Sequence, residues 1–204
     1  MEHYEGRGWA ARMVFEAALI VLSILLALAV NQWQDARRER RLADQAIASF
    51  RQELTANRRR LRELAPYHQH IRDEMLRLDS AHAVNSFSDL GKVGGFRGFR
   101  PAFLLETAWR TAIATGALTH IDYPTVNALS TTYTLQERVD EMNRATLPAM
   151  MSGGALSDAQ AAGTLRQAAV YLGDISGLER EVLAAYDQML AELDRLHPAP
   201  DSAR

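Results

Sequence analysis

Trp109, Thr115, Gly116, His120, Asp122 and Tyr123 form the one compact run of this chain in which side chains capable of chemistry crowd together. An imidazole and a carboxylate at i, i+2 across a helix break can approach each other, with the hydroxyls of Thr115 and Tyr123 as further donors to a ligand or partner. The same residues also read as structure: Trp109 fills a bundle, Gly116 ends one helix, Asp122 caps the next and His120 sits in the turn. No nucleophile and base accompany them, and G-x-S-x-G, H-E-x-x-H and Walker patterns are absent from the sequence. The expectation is a packing or binding cluster without a catalytic residue, and a protein that is not an enzyme.

Metal and thiol chemistry are equally sparse. The 204 residues include no cysteine, which excludes disulfides, thiolate metal sites and cysteine nucleophiles. His68 and His82 stand two heptads apart, too far to share an ion, and His68 and His70 at i, i+2 point to different faces, so neither a metal nor a cofactor is expected. With 23 basic and 25 acidic groups the formal charge is −2, which argues against a nucleic-acid partner. A hydrophobic share of 48% suits one folded unit.

The elements that must carry these residues begin with an apolar extreme. Between Met13 and Val30 only Glu16 and Ser23 are not apolar. A helix over 13–33, at about 1.5 Å per residue, covers the roughly 30 Å hydrocarbon core of a bilayer. Trp9 and Trp33 flank it, and Asn31 and Gln32 mark its exit. Arg12 and Glu16 at i, i+4 read as an interfacial pair that snorkels toward the headgroups, or else as an ionisable group serving a helix partner. Ala27-Leu28-Ala29 also resembles a signal-cleavage site, so a secreted helical protein is the rival reading. Four arginines after the span (Arg37, Arg38, Arg40, Arg41) against Arg7, Arg12 and the terminal amine before it lean toward a cytoplasmic main domain.

Beyond the span, Ala43, Ile47, Phe50, Leu54, Asn57, Leu61, Leu64, His68, Ile71, Met75, Leu78 and His82 recur at spacings of three and four. That is a heptad seam, and it predicts a long helix over 34–82 with Pro66 as its one kink. Asn57, polar within the seam, would fix register or oligomeric state. Residues 83–101, rich in Gly, Ser and Asn, predict a loop whose Phe87, Phe96, Arg97, Phe99 and Arg100 either stack on a base or pin the loop to the bundle. Three helices then fill 102–197: one over 102–115 ended by Gly116, one capped by Asp122 and stopped by Pro148, and one opened by a Ser157/Gln160 capping box after a Gly153-Gly154 turn. The last carries a second seam, Leu165, Ala168, Leu172, Ile175, Glu179, Val182, Tyr186, Met189, Leu193 and Leu196. Residues 1–12 and 198–204 read as an N-terminal tail and a disordered tail.

Charge supports pairing of the two seams. Gln34 to Ala65 holds nine Arg against five acids, net +4, and Asp174 to Leu196 holds six acids against two Arg, net −4. The fold class expected is all-α: an N-terminal transmembrane helix continuing into a long coiled-coil-like helix that packs in an antiparallel bundle. Closure of the seams between chains, giving a homo-oligomer, remains the alternative to closure within one chain.

Ser23-Ile-Leu-Leu-Ala-Leu-Ala-Val-Asn31-Gln-Trp33, followed by Glu53-Leu54 and Asn57, resembles the N-terminal part of an uncharacterised group of single-pass bacterial membrane proteins with a helical domain. Ala108-Trp109, Thr115-Gly116-Ala117-Leu118, Asp122-Tyr123, Leu129 and Tyr133 share that resemblance, which covers about two thirds of the chain. It implies an anchored helical protein in the bacterial inner membrane, and no catalytic residue. Three function classes follow: a tethered scaffold that docks an unknown protein partner, a sensor-like bundle that binds a small ligand, and an enzyme. A scaffold predicts apolar stripe left exposed, a sensor an enclosed pocket with polar groups, and an enzyme reactive groups in register.

Overall fold

The computed structural model describes residues 6–153 and 157–198, with side chains from residue 12 onward. Every regular element among them is helical: α1 (Gly6–Ser80), α2 (Thr107–Thr115), α3 (Tyr123–Met150) and α4 (Ala161–Leu196), with short 3-10 turns at Phe87–Lys92, Ala117–His120 and Asp158–Gln160. The chain divides into two compact units, Met1–Gln45 and Ala46–Arg204, with the boundary inside α1.

In the first unit the aliphatic run lies open on every side. An 18-residue window with mean hydropathy 2.7 has none of its residues buried, and among the described residues this is the one helix long and apolar enough to cross a membrane. Arg12 Nε lies 3.8 Å from Glu16 Oε1, the i, i+4 geometry expected of that pair. Asn31 donates to Asp35, and the Arg37 guanidinium sits 4.6 Å above the Trp33 ring, a cation held against an indole. The side chain of Trp9 lies outside the described residues, as do Gly154 and all of the proposed tail beyond Pro198; of the tail over 1–12, residues from Gly6 are helical.

The second unit closes around the two seams. From Ile47 to Leu78 every member of the α1 stripe is buried, as is every member of the α4 stripe from Leu165 to Leu193. Contacts between them run antiparallel: Arg51 meets Asp194, Arg58 and Arg62 meet Asp187, His68 meets Glu179 and Arg166 meets Asp79. Arg51 also donates to the Leu193 and His197 carbonyls, satisfying acceptors that the end of α4 leaves open. Exposed pairs such as Arg58–Asp187 are worth under about 1 kcal/mol each, so they select the register while apolar burial supplies stability.

Several boundaries differ from the sequence expectation. α2 starts at Thr107 rather than Ala102, and just before it Leu105 gives its backbone N–H and carbonyl to side chains of α1 and α3. α1 runs uninterrupted through Pro66 and ends at Ser80, so His82 leaves the seam; it is exposed, in the left-handed region with φ 49. Pro148 does not stop α3, which reaches Met150, since a donor missing from the last turn costs one bond. Ser157 makes no side-chain cap; it precedes a 3-10 turn, and α4 opens at Ala161. Gly116 (φ 71) and Asp122, whose side chain accepts from the Thr125 N–H, end α2 and cap α3 as expected.

Leu61 is fully buried on the α1 stripe. Leu61→Ala should lower unfolding stability by about 2–5 kcal/mol, whereas Asp187→Ala should cost less than about 1 kcal/mol; urea titration followed by circular dichroism separates them.

Candidate functional site

Residues 97–108 are neither helix nor sheet over most of their length, yet they pack along the bundle, with Ala102 and Leu104 buried. Their backbone groups therefore need partners, and side chains of α1 provide them. Tyr67 Oη donates to the Gly98 carbonyl (2.6 Å) and accepts from the Arg97 N–H (2.8 Å). His68 Nε2 faces the carbonyls of Phe99 (3.0 Å) and Arg100 (3.2 Å). Asn57 closes a two-point bond with Leu105: its Nδ2 donates to the carbonyl at 2.8 Å and its Oδ1 accepts from the N–H at 2.9 Å. Glu53 Oε2 accepts from the Ala108 N–H (2.9 Å), capping α2 from a different helix.

These partners descend α1 as the segment ascends, so the segment lies antiparallel along the helix. The spacing explains the fit. Eleven residues of helix from Asn57 to His68, at about 1.5 Å each, cover about 16.5 Å, a span that the five non-helical residues from Arg100 to Leu105 are long enough to bridge.

Polar groups of α3 and α4 complete the arrangement. Gln136 donates to the Leu105 carbonyl and its Oε1 accepts from Asn57 and from Tyr186 Oη (2.6 Å). Tyr133 Oη donates to Glu53 Oε1 at 2.7 Å, and burial, reinforced by that carboxylate, drives the phenol far above its ordinary range. Burial does the same to Tyr186. Both phenols thus act as fixed donors, and neither is a base at physiological pH.

His68 and Glu179 form a pair buried on both sides, 2.8 Å between Nδ1 and Oε1. Because Nε2 meets only carbonyl oxygens, it must carry a proton. Burial by itself lowers the imidazole pKa; the hydrogen bond and charge of Glu179, with the two carbonyls, outweigh it and raise the value above 6.5. The second oxygen of Glu179 has no hydrogen-bond partner among the described residues. Tyr171 hydrogen-bonds Asn143 at 2.7 Å, and burial followed by the charge of Glu179 pushes its phenol up to about 12.

Beside this ladder lies a cavity of about 450 Å³, walled by Phe87, Phe96 and Phe99 of the loop, Met75 of α1, Met150 of α3 and Leu165 of α4. Its lining is almost wholly apolar, and Arg100, the charged residue that borders it, gives it almost no polar surface. The loop is pinned by its aromatic residues, as one of the two sequence readings had it: Phe99 packs edge-on against Tyr171 and Phe96 edge-on against Phe99.

The cluster singled out by sequence is dispersed by function. Trp109 is half-buried and stacks on Tyr133, 5.3 Å between ring centres, with Phe50 at 6.2 Å. Thr115 is exposed and donates to the Thr111 carbonyl. His120 and Tyr123 are exposed, and Asp122 caps α3 while His197 approaches it to 3.6 Å. Its carboxyl is held below the usual range, first by the Thr125 N–H. None of these side chains lines the cavity beside the ladder. Asn57 is buried, but its partners lie within its own chain. Sequence reasoning missed Glu53, Gln136 and the His68–Glu179 pair. The available signal was a histidine and a glutamate occupying apolar positions of two seams predicted to pair antiparallel.

Among the described residues no group of three or more His, Asp or Glu is placed to hold a metal ion. No family model matches the chain, and neither a curated protein nor a solved structure matches it.

Two outcomes follow from this geometry. Asn57→Leu leaves the Leu105 N–H without its partner and should destabilise the unit by about 1–3 kcal/mol in urea titration despite the added apolar volume, without altering the oligomeric state measured by light scattering. A histidine whose folded pKa is raised stabilises fully below 6.5, and that contribution disappears as pH rises through the folded value. The urea midpoint should therefore fall as pH rises above 6.5, and His68→Gln should flatten that slope.

Proposed function

We propose that the chain is a membrane-tethered helical module that binds rather than transforms its partners. The carrying observation is the aliphatic run of α1, open to solvent on all faces over an 18-residue window, a surface that water would not tolerate and hydrocarbon would accept. The absence of a break in α1 after Ala29 supports retention of the anchor over removal as a signal. The arginine excess after the span favours a cytoplasmic bundle of bacterial type.

Of the two binding roles, the sensor-like one gains support. A scaffold that docks through its seams needs apolar stripe left over, and the α1 and α4 stripes are consumed inside one chain. A ligand-binding bundle needs a concave pocket, and the loop cavity supplies one, half-open and apolar rather than enclosed and lined with polar groups. The scaffold role retains one foothold, the exposed Phe103, Leu105 and Ile113 flanking the half-buried Trp109.

Expressed in a Gram-negative bacterium, the full chain should remain in the membrane pellet after alkaline carbonate washing, and Leu22→Arg, which costs insertion roughly 2.5–3.5 kcal/mol, should shift it toward the soluble fraction. A soluble mature protein beginning near Val30 would overturn the tether. Because the chain lacks cysteine, Ala114→Cys on the exposed face of α2 reports orientation: a cytoplasmic bundle stays unlabelled by a membrane-impermeant maleimide until the cells are opened.

A further inference from the structure

The cavity beneath the 87–101 loop has properties that restrict what can occupy it. At about 450 Å³ it falls within the roughly 300–1,000 Å³ of small-molecule sites. Three aromatic rings, Leu90, Val93, Leu147, Leu165 and three methionines give its wall the shape-tolerant apolar character that suits a flexible hydrocarbon chain. A ligand rich in hydrogen-bonding groups would leave most of them unmet against that wall, at a cost that disfavours it.

One end differs. Arg100 borders the cavity, and its exposed guanidinium lies outside the apolar lining, 5.3 Å from the centre of the Tyr67 ring and without a carboxylate partner among the described residues. Arg97, three residues earlier and also exposed, likewise has no described ion pair. The backbone beneath Arg100 is fixed, since its carbonyl meets His68 Nε2, and the residue sits in the left-handed region with φ 47. An apolar chamber with an unpaired, backbone-anchored cation at its rim matches a molecule with a long apolar body and one anionic end.

We infer that this cavity binds a single-chain fatty carboxylate, its hydrocarbon inside the chamber and its carboxylate at Arg100. The inference rests on the ligand-binding reading above and does not require the tether. A two-chain phospholipid carries twice the hydrocarbon for one headgroup and exceeds the chamber. Tyr67 stacks under the guanidinium and holds the Gly98 carbonyl, so occupancy would tighten the same segment that the α1 side chains hold. The loop over residues 87–101 is the element whose order the ligand changes.

The test uses the full chain in phosphatidylcholine nanodiscs titrated with radiolabelled palmitate, with empty nanodiscs subtracted. Expected is saturable binding of one palmitate per chain, weakened about fourfold for each methylene removed across a saturated series, with slower amide exchange in residues 87–101. Arg100→Glu, on an exposed side chain, should weaken palmitate at least tenfold and leave hexadecanol binding unchanged. Ala168→Phe should abolish both by filling the chamber; the chain-length series on the unaltered protein decides the matter if that variant does not fold. Absence of saturable binding over empty discs, affinity independent of chain length, or equal palmitate affinity in Arg100→Glu would overturn the proposal. So would loss of palmitate binding in discs containing phosphatidylglycerol, which would assign the chamber to a two-chain lipid. Failure of the tether shows separately, as protein that does not incorporate into discs yet binds palmitate in solution.

Discussion

A stretch of chain that is neither helix nor strand but packs along a bundle must find partners for the backbone groups it turns inward, and the architecture of the second unit follows from how that demand is met. Residues 97–108 take their partners from Tyr67, His68, Asn57 and Glu53, four side chains on one face of α1. Each buried amide or carbonyl left unpaired would cost about 1–3 kcal/mol, several times what an exposed ion pair returns. The segment cannot slide along α1 without losing several of these bonds at once. Its antiparallel course, the late start of α2 at Thr107 and the place of the loop over the cavity are consequences of that one restriction.

The same side chains tie the segment to the rest of the bundle. Asn57 reaches Gln136 of α3, which in turn receives Tyr186 of α4; Glu53 receives Tyr133 of α3; His68 meets Glu179 of α4. Polar residues at apolar positions weaken a bundle if they are unmatched and specify it if every group is satisfied. Here all but the second oxygen of Glu179 are matched, and they specify a single register between α1 and α4, reinforced by Arg51 and Arg58 at the surface. His68 has a further consequence. Its Nε2 holds the carbonyl of Arg100 while its Nδ1 meets Glu179, so one side chain ties the segment beside the cavity to α4.

Most of the helical layout was legible in the sequence because it follows from periodicity, which needs only local information. The seams from Ile47 to Leu78 and from Leu165 to Leu193, the glycine that ends α2 and the aspartate that caps α3 all appear where spacing and capping chemistry put them. The candidate site was less legible. His120, Asp122 and Tyr123 drew attention because reactive side chains are adjacent in sequence, yet adjacency across a helix break says nothing about enclosure, and these groups face solvent. The enclosed groups come from positions as far apart as Glu53 and Tyr186, and no local pattern joins them.

The sequence by itself determined the helical class, the open aliphatic run of α1, the two apolar stripes and their opposite charge, since composition and periodicity act through hydrophobic burial and Coulomb attraction whatever the detailed packing. Only the tertiary structure decided that the stripes pack on each other within the chain, that Asn57 serves the Leu105 backbone, and that the loop arches over a cavity. Those outcomes depend on which buried hydrogen-bonding groups meet, and such meetings are set by three-dimensional distance between residues that the linear order keeps far apart.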